Sequence, residues 1–386
     1  MKKRAAFSIK FTRGVFSLLG PLVAIVLAPC AHAEAGRSFR IISPARTAIL
    51  SVSPPGTITW TNWATGITCT IQSSTGFGGG GWGDYLRVPV SSPITTVQVF
   101  DTTPLSGMAL IPAGSFTMGD AFGEGYDDEG PKHSVSVGAF YMDKYLVTKA
   151  LWDKVKTWSI TNGYSFAGVS GKSASHPVQG VSWYSAVAWC NARSQKEGLT
   201  PCYYIDVGLT TAYKVGPVNP YVKWDANGYR LPTEAEWEKA ARGGAGGQRF
   251  PWADTDNISH SRANYNAANA QPYDLSYPAG YQPAFFGAGE LPYTSPAGYF
   301  AANGYGLHDM AGNVWEWCWD WYQVDWYSQA AAKQTDTRGP TGPLGWRVQR
   351  GGSWSDYAFF SRTSYRGYYS PTYGDGNDGF RCVRGL

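Results

Sequence analysis

Asp309 and Glu316 stand on either side of a Gly312-Asn313 turn, with the backbone carbonyls of Gly312 and Val314 between them. Every donor in this stretch is an oxygen, and hard oxygen ligands suit Ca²⁺. The spacing does not match an EF-hand loop, and most acidic turns of this kind are simply solvated. Glu124 to Glu129 is a second concentration of carboxylates, and its composition predicts a solvated loop rather than a metal site. Other chemistry is sparse. His133, His176, His260 and His308 are scattered, and no GxSxG, P-loop, HExxH, HxxxH or CxxC spacing occurs. Zinc, conventional hydrolysis and phosphoryl transfer therefore have no support.

The elements that must position this turn can be read locally. From Trp315 to Tyr322 aromatic residues alternate with Glu316, Cys318 and Asp320, which predicts a strand with its tryptophan face buried. Thr148 and Ser182 each precede a helical pattern as N-caps. In the second pattern Trp183, Ala186, Val187 and Cys190 share one face, so Cys190 is expected in the core. Thr233 and Glu236 form a capping box ahead of the stripe Trp237, Ala240 and Ala241, and Gly243-Gly244 ends that helix. The stretch from Arg249 to Phe300 shows little periodicity, and a segment this long in a compact domain needs an anchor or a function.

The chain has 386 residues with 47 Gly, 24 Pro and 17 Trp, which favours short elements, many turns and an aromatic core. Residues 1–33 carry a basic start, an apolar run broken by Gly20 and Pro21, and Ala31-His-Ala33. That is the layout of a secretory signal rather than a stable membrane span. Without it, 27 basic residues face 28 acidic ones, a balance that gives no footprint for nucleic acid. Export near Ala33 is expected, to the periplasm, the cell surface or the medium, and export permits disulfides. Residues 35–101 alternate β-rich runs with Pro- and Gly-rich turns and predict a small all-β, sandwich-like module with Cys69 as a buried thiol. Residues 102–107 read as a linker. Residues 108–386 form the main domain.

Six motifs in that domain, taken together and in order, resemble one family. They are IPAGSFTMG (111–119), HPVQGVSW (176–183), YRLPTEAEWE (229–238), GNVWEW (312–317), RGGSW (350–354) and GFR (379–381). The family is that of the sulfatase-modifying factors, or formylglycine-generating enzymes. The resemblance implies an α+β fold related to C-type lectins, with little regular secondary structure. It implies structural calcium held by the Asp309 and Glu316 side chains with the Gly312 and Val314 carbonyls. A second calcium site would use Asn264 and the Tyr265 carbonyl, with Asp274 as a poorly aligned partner. It also implies a disulfide between Cys190 and Cys382. The cysteine count leaves Cys202 and Cys318 to pair as well.

The departure from the family is chemical. Its oxidases bind Cu(I) through two cysteines that follow the Gly-Gly-Ser motif, and these positions are Asp356 and Ser361 here. Neither supplies the soft thiolate that Cu(I) requires, so copper is not expected. Two readings remain open. One is an exported, calcium-stabilised scaffold that binds a protein or carbohydrate ligand through the stretch from Trp354 to Asp378, with Trp354, Asp356, Tyr357, Arg362, Tyr365, Arg366 and Tyr368 as contact residues. This stretch is similar to the hypervariable C-terminal segment that some proteins of this fold use for binding, although the same residues could simply pack. The other is a divergent formylglycine-generating oxidase acting on a sulfatase cysteine, or another enzyme of the family.

Overall fold

The computed structural model describes residues 22–26, 38–43, 45, 47–53, 57–62, 64–74, 83–98, 105–166, 169–287 and 291–385. The chain divides into two compact units, with the boundary near residues 99–100. In the N-terminal unit, strands β1 (Leu22–Val26), β2 (Ser38–Ser43), β5 (Ile67–Ser74) and β6 (Gly83–Val90) form one antiparallel sheet in the order β1-β2-β5-β6. A second sheet joins β3 (Thr47–Ser53), β4 (Thr57–Asn62) and β7 (Ile94–Gln98). Ile41, Trp60, Cys69 and Val90 are buried, and the Trp60 indole donates to Asn62 Oδ1 at 2.7 Å. The apolar run assigned to the secretory leader thus supplies an edge strand, β1. The rest of the leader, the Gly-rich stretch before Gly83 and the first part of the linker lie outside the described residues.

The C-terminal unit opens with β8 (Met108–Ile111), β9 (Gly114–Met118), β10 (His133–Val137) and β11 (Phe140–Asp143). Helix α1 (Lys149–Ile160) starts where Thr148 Oγ1 accepts the Leu151 amide, and α2 (Trp183–Lys196) starts likewise at Ser182. Eleven of the fourteen α2 residues are buried, far more than one stripe, because the helix runs through the core instead of over it. Short pairs β12 (Tyr203–Tyr204) and β13 (Tyr221–Val222) follow, then α3 (Glu234–Ala241) with its complete capping box. All eight α3 residues are buried, and Gly243 and Gly244 leave it at φ 58° and 85°.

Between Arg249 and Phe300 the chain forms, among the described residues, β14 (Asn266–Ala267), β15 (Gly280–Tyr281) and the one-turn helix α4 (Pro283–Phe286). Its anchor is a separate hydrophobic cluster in which Phe250, Ile258, Tyr265 and Tyr273 meet Ala311 and Ala358. The tryptophan strand, β16 (Trp315–Trp321), is central in a sheet of order β18-β17-β16-β19, with β17 (Arg347–Arg350), β18 (Gly367–Tyr369) and β19 (Asp378–Gly379). Strand β20 (Val383–Gly385) closes the other sheet, β20-β11-β8.

Two local expectations need correction. The acidic face of β16 is as buried as the tryptophan face, with Glu316 and Cys318 fully enclosed and Asp320 nearly so. The 124–129 loop is not solvated at its end, since Asp128 and Glu129 are buried in a 3₁₀ turn. Distant segments supply the partners in both cases. Arg381 and Arg362 pair with Glu316 and Glu129, and a charge with a well-placed partner can be enclosed, whereas Asp320 and Asp128 accept from the Glu234 amide and the Tyr322 hydroxyl.

Candidate functional site

The 309–313 turn has the backbone that its residue types suggest. Asp309, Gly312 and Asn313 all have positive φ, at 55°, 74° and 70°. The Asn313 amide donates to the Asn264 carbonyl at 2.8 Å, which ties the turn to the residue expected at the second calcium site. Asp309 Oδ2 accepts the Gly298 amide at 2.6 Å, whereas Oδ1 is buried without a partner, and burial pushes this carboxyl up to about 6. Both Glu316 oxygens accept from Arg381 at 2.7 Å. At the second position Asn264 Oδ1 and Asp274 Oδ2 are buried and unpartnered, and Asp274 Oδ1 accepts the Tyr265 hydroxyl at 2.5 Å. Orphaned hard oxygens in both places fit calcium chemistry. Among the described residues no three His, Cys, Asp or Glu side chains converge, so such an ion would depend on the carbonyls of Gly312, Val314 and Tyr265.

Asp356 and Ser361, at the copper positions, lie differently. Ser361 is fully buried with its hydroxyl unpartnered. Asp356 lines an open cavity of about 400 Å³ with Trp315, Gln349, Phe360, Tyr365, Gly367, Tyr368, Tyr369, Asp375, Asn377 and Asp378. Gly367 is needed here, because a Cβ would come within 2.7 Å of the Trp315 ring. Ser353 Oγ donates to Asp356, and Asn377 Nδ2 donates to Ser353 Oγ and Ser355 Oγ at 3.1 Å. Asp378 accepts from Gln349 Nε2 and from the Asp375 amide, each at 2.8 Å. On the rim, Tyr368 stacks on Tyr322 and Trp346 with centroids 4.0 and 4.9 Å apart.

Of the residues expected to contact a ligand, Asp356, Tyr365 and Tyr368 line this cavity. Tyr357 is exposed outside it, and Trp354 packs against Tyr281 and Tyr293. Arg362 and Arg366 are turned inward, a correction to their expected role. Arg362 grips Glu129 through two bonds at 2.7 and 2.8 Å, and Arg366 grips Glu234 at 2.8 and 3.0 Å. They hold the walls rather than face the ligand. Sequence reasoning missed Trp315 and Gln349 as lining residues, and Asp375, Asn377 and Asp378 lay within the expected 354–378 stretch without being singled out. The adjacency of Asp378 to the Gly379-Phe-Arg motif was the available signal.

Burial raises both Asp356 and Asp378, the latter to about 7. A carboxyl that ionises later when folded binds more protons in the folded state, so its contribution is full at low pH and is lost as pH rises through the folded value. We therefore expect Asp378→Asn to gain stability relative to the parent as pH rises from about 4 to about 7. Thermal melts across that window check this, and a difference that stays constant or shrinks would contradict it.

Cys190 and Cys382 sulfurs lie 3.6 Å apart, both fully buried and both free thiols here, so the expected disulfide is a contact rather than a bond. Cys202 sits in the same core cluster as these two, whereas Cys318 belongs to the other cluster around α3. A Cys202–Cys318 pair is therefore not supported.

The model of the "sulfatase-modifying factor enzyme 1-like domain" matches residues 94–386. This chain belongs to that family. It is 34% identical over 313 residues to the formylglycine-generating enzyme of Streptomyces coelicolor, covering 72% of this chain and 88% of that protein. It is 32% identical over 292 residues to the chaperone protein LppX of Paenibacillus barcinonensis, covering 74% and 91%. Among solved structures it is similar to Treponema denticola variable protein 1, with TM-score 0.54, 28% identity, and 72% and 95% of the two chains covered. A crystal structure titled CarF gives TM-score 0.53 at 26% identity, covering 72% and 98%. The sulfatase-modifying-factor domain thus has a mixed helix and strand fold with few helices. Among the described residues no helix is long and apolar enough to cross a membrane.

Proposed function

We propose that this family member is an exported ligand-binding scaffold and not a copper oxidase, with the cavity around Trp315, Asp356, Tyr365, Tyr368, Asp375 and Asp378 as its binding site. The observation that carries this reading is Asp356, a carboxylate at a copper position, facing an open cavity walled by aromatic rings and further acids. Tyrosine and tryptophan supply rigid contact area, and carboxylates and amides supply hydrogen bonds to the hydroxyls of a carbohydrate or the polar groups of a protein. The named likeness to a variable protein supports the same reading. The fold would be that of the C-type-lectin relatives, preceded by a β-sandwich module. Calcium would be held by Asp309, Gly312, Val314 and Glu316, and by Asn264 and Tyr265. In an oxidising compartment Cys190 and Cys382 would lose two hydrogens and join.

The test incubates the mature chain with copper, oxygen, a thiol reductant and a Cys-x-Pro-x-Arg peptide, beside an active family enzyme. The peptide should remain unchanged by mass spectrometry, and aldehyde formation would overturn the reading in favour of a divergent oxidase. In parallel, glycan and peptide arrays probed with the chain should give signals that Tyr365→Ala and Asp375→Ala abolish. Addition of calcium should raise the melting temperature and EDTA lower it, and no response to either would remove calcium from the proposal.

A further inference from the structure

Among the described residues of the C-terminal unit eight arginines are buried, and seven of them lie within 4.0 Å of a carboxylate: Arg193, Arg230, Arg242, Arg350, Arg362, Arg366 and Arg381. Arg347 is the exception among the described residues. It is 1% exposed, and its guanidinium lies between the rings of Trp183 and Trp321, at 3.7 and 3.6 Å from their centroids. It donates to the Trp319 carbonyl and, at 3.4 Å, to Asn219 Oδ1, while Nε has no partner. Burial without a counter-charge pulls Arg347 down to about 9. The nearby Asp320 does not neutralise it, because burial and Glu234 push that carboxyl up to about 8, and Asp320 Oδ2 is already bonded to the Glu234 amide. A buried charge left unpaired is costly and calls for a partner.

Space for that partner is present. Arg347 lines an open cleft of about 330 Å³ between β16 and the 338–342 loop, and the cleft shares no lining residue with the cavity described above. A second guanidinium, Arg338, stands over Trp224 at 4.1 Å in the same cleft, exposed and, among the described residues, likewise without a carboxylate within 4.0 Å. The half-buried rings of Trp224 and Trp319 line the wall, and Asn219 and Thr341 add polar groups. A guanidinium presents a planar fork of donors that matches an oxyanion, and this cleft is lined by two of them. Trp224 carries Arg338 over its ring and Trp319 stacks on Tyr203, so the indoles offer the cleft apolar edges, which beside amide and hydroxyl groups suit a ring that has both C–H groups and hydroxyls.

We propose that this cleft binds a sugar carrying an oxyanion, a carboxylate or a sulfate, with Arg338 and Arg347 on the oxyanion and Trp224 and Trp319 against the ring. The site is independent of the copper positions and of the cavity at Asp356, so either can fail without the other.

The test follows the intrinsic tryptophan fluorescence of the full chain during titration with sodium glucuronate, glucose 6-sulfate and glucose at constant ionic strength. At least one of the two charged sugars should bind saturably, about tenfold or more tighter than glucose, and the tighter one identifies the oxyanion. Arg338→Gln, an exposed change that leaves the core intact, should weaken that binding about tenfold with unchanged circular dichroism and melting temperature. No saturable binding of either charged sugar would overturn the proposal. So would glucose binding as tightly as they do, or an unaltered affinity in Arg338→Gln. Arg347 would then serve only to fill the space between Trp183 and Trp321.

Discussion

Replacing Arg350 by methionine should cost about 3–5 kcal/mol of stability, the range seen when one partner of a buried ionic network is removed. Arg350 is fully buried at the end of β17. It donates to Glu238, to the Thr363 carbonyl at 3.0 Å, to the Ser364 carbonyl at 2.8 Å and to the Tyr365 carbonyl. Glu238 would keep Arg242, at 2.7 Å, so the loss falls mainly on three carbonyls left dry and unpaired. These carbonyls belong to the segment that delivers Tyr365, Gly367 and Tyr368 to the cavity, so binding should weaken along with stability. Arg350→Lys should not rescue, because one ammonium cannot reproduce the planar fork. Urea unfolding gives the value, and a loss below about 1 kcal/mol would refute the claim that this network holds the cavity wall.

Gly312→Ala should cost about 3 kcal/mol or more. Its φ of 74° already imposes about 1–2 kcal/mol on a residue with a Cβ. That Cβ would also lie 2.2 Å from the Asn264 carbonyl oxygen, which is backbone and cannot rotate away. Forcing the two chains apart adds about 1–3 kcal/mol more. It would also spoil the hydrogen bond from the Asn313 amide to Asn264 and with it the geometry of the orphaned oxygens around the turn. Gly306 is the control. It has φ 79° but nothing within 4 Å of a built Cβ, so Gly306→Ala should show the conformational penalty alone. Thermal or urea unfolding of the two variants separates the contributions, and equal losses would show that the close approach to Asn264 does not matter.

Much of the scaffold was legible one segment at a time. Thr148, Ser182 and the Thr233–Glu236 box start three helices because capping is settled by residues three apart, which lie close in any chain. The alternation from Trp315 and the turn at Gly312 and Asn313, both types that accept positive φ, were legible for the same reason, whereas the positive φ of Asp309 was not. The six ordered motifs identified the family, and the absence of thiols at Asp356 and Ser361 was plain from residue type.

Residue type alone could not say which way a charge would face. Arg362 and Arg366 looked like contact residues because they are long, charged and set in a tyrosine-rich stretch, yet their partners Glu129 and Glu234 lie far earlier in the chain. Nothing in local spacing selects such a partner, since the choice is made by how distant segments pack. The same dependence hid the cavity, in which Trp315 from one strand meets Asp375 and Asp378 from the chain's last turn. It also hid Arg347, whose type matches the seven paired arginines and whose isolation appears only when every neighbouring carboxylate has been placed. Backbone turns and helix starts are short-range and were determined by the sequence itself. Charge pairing and cavity lining are long-range, and only the tertiary structure decided them.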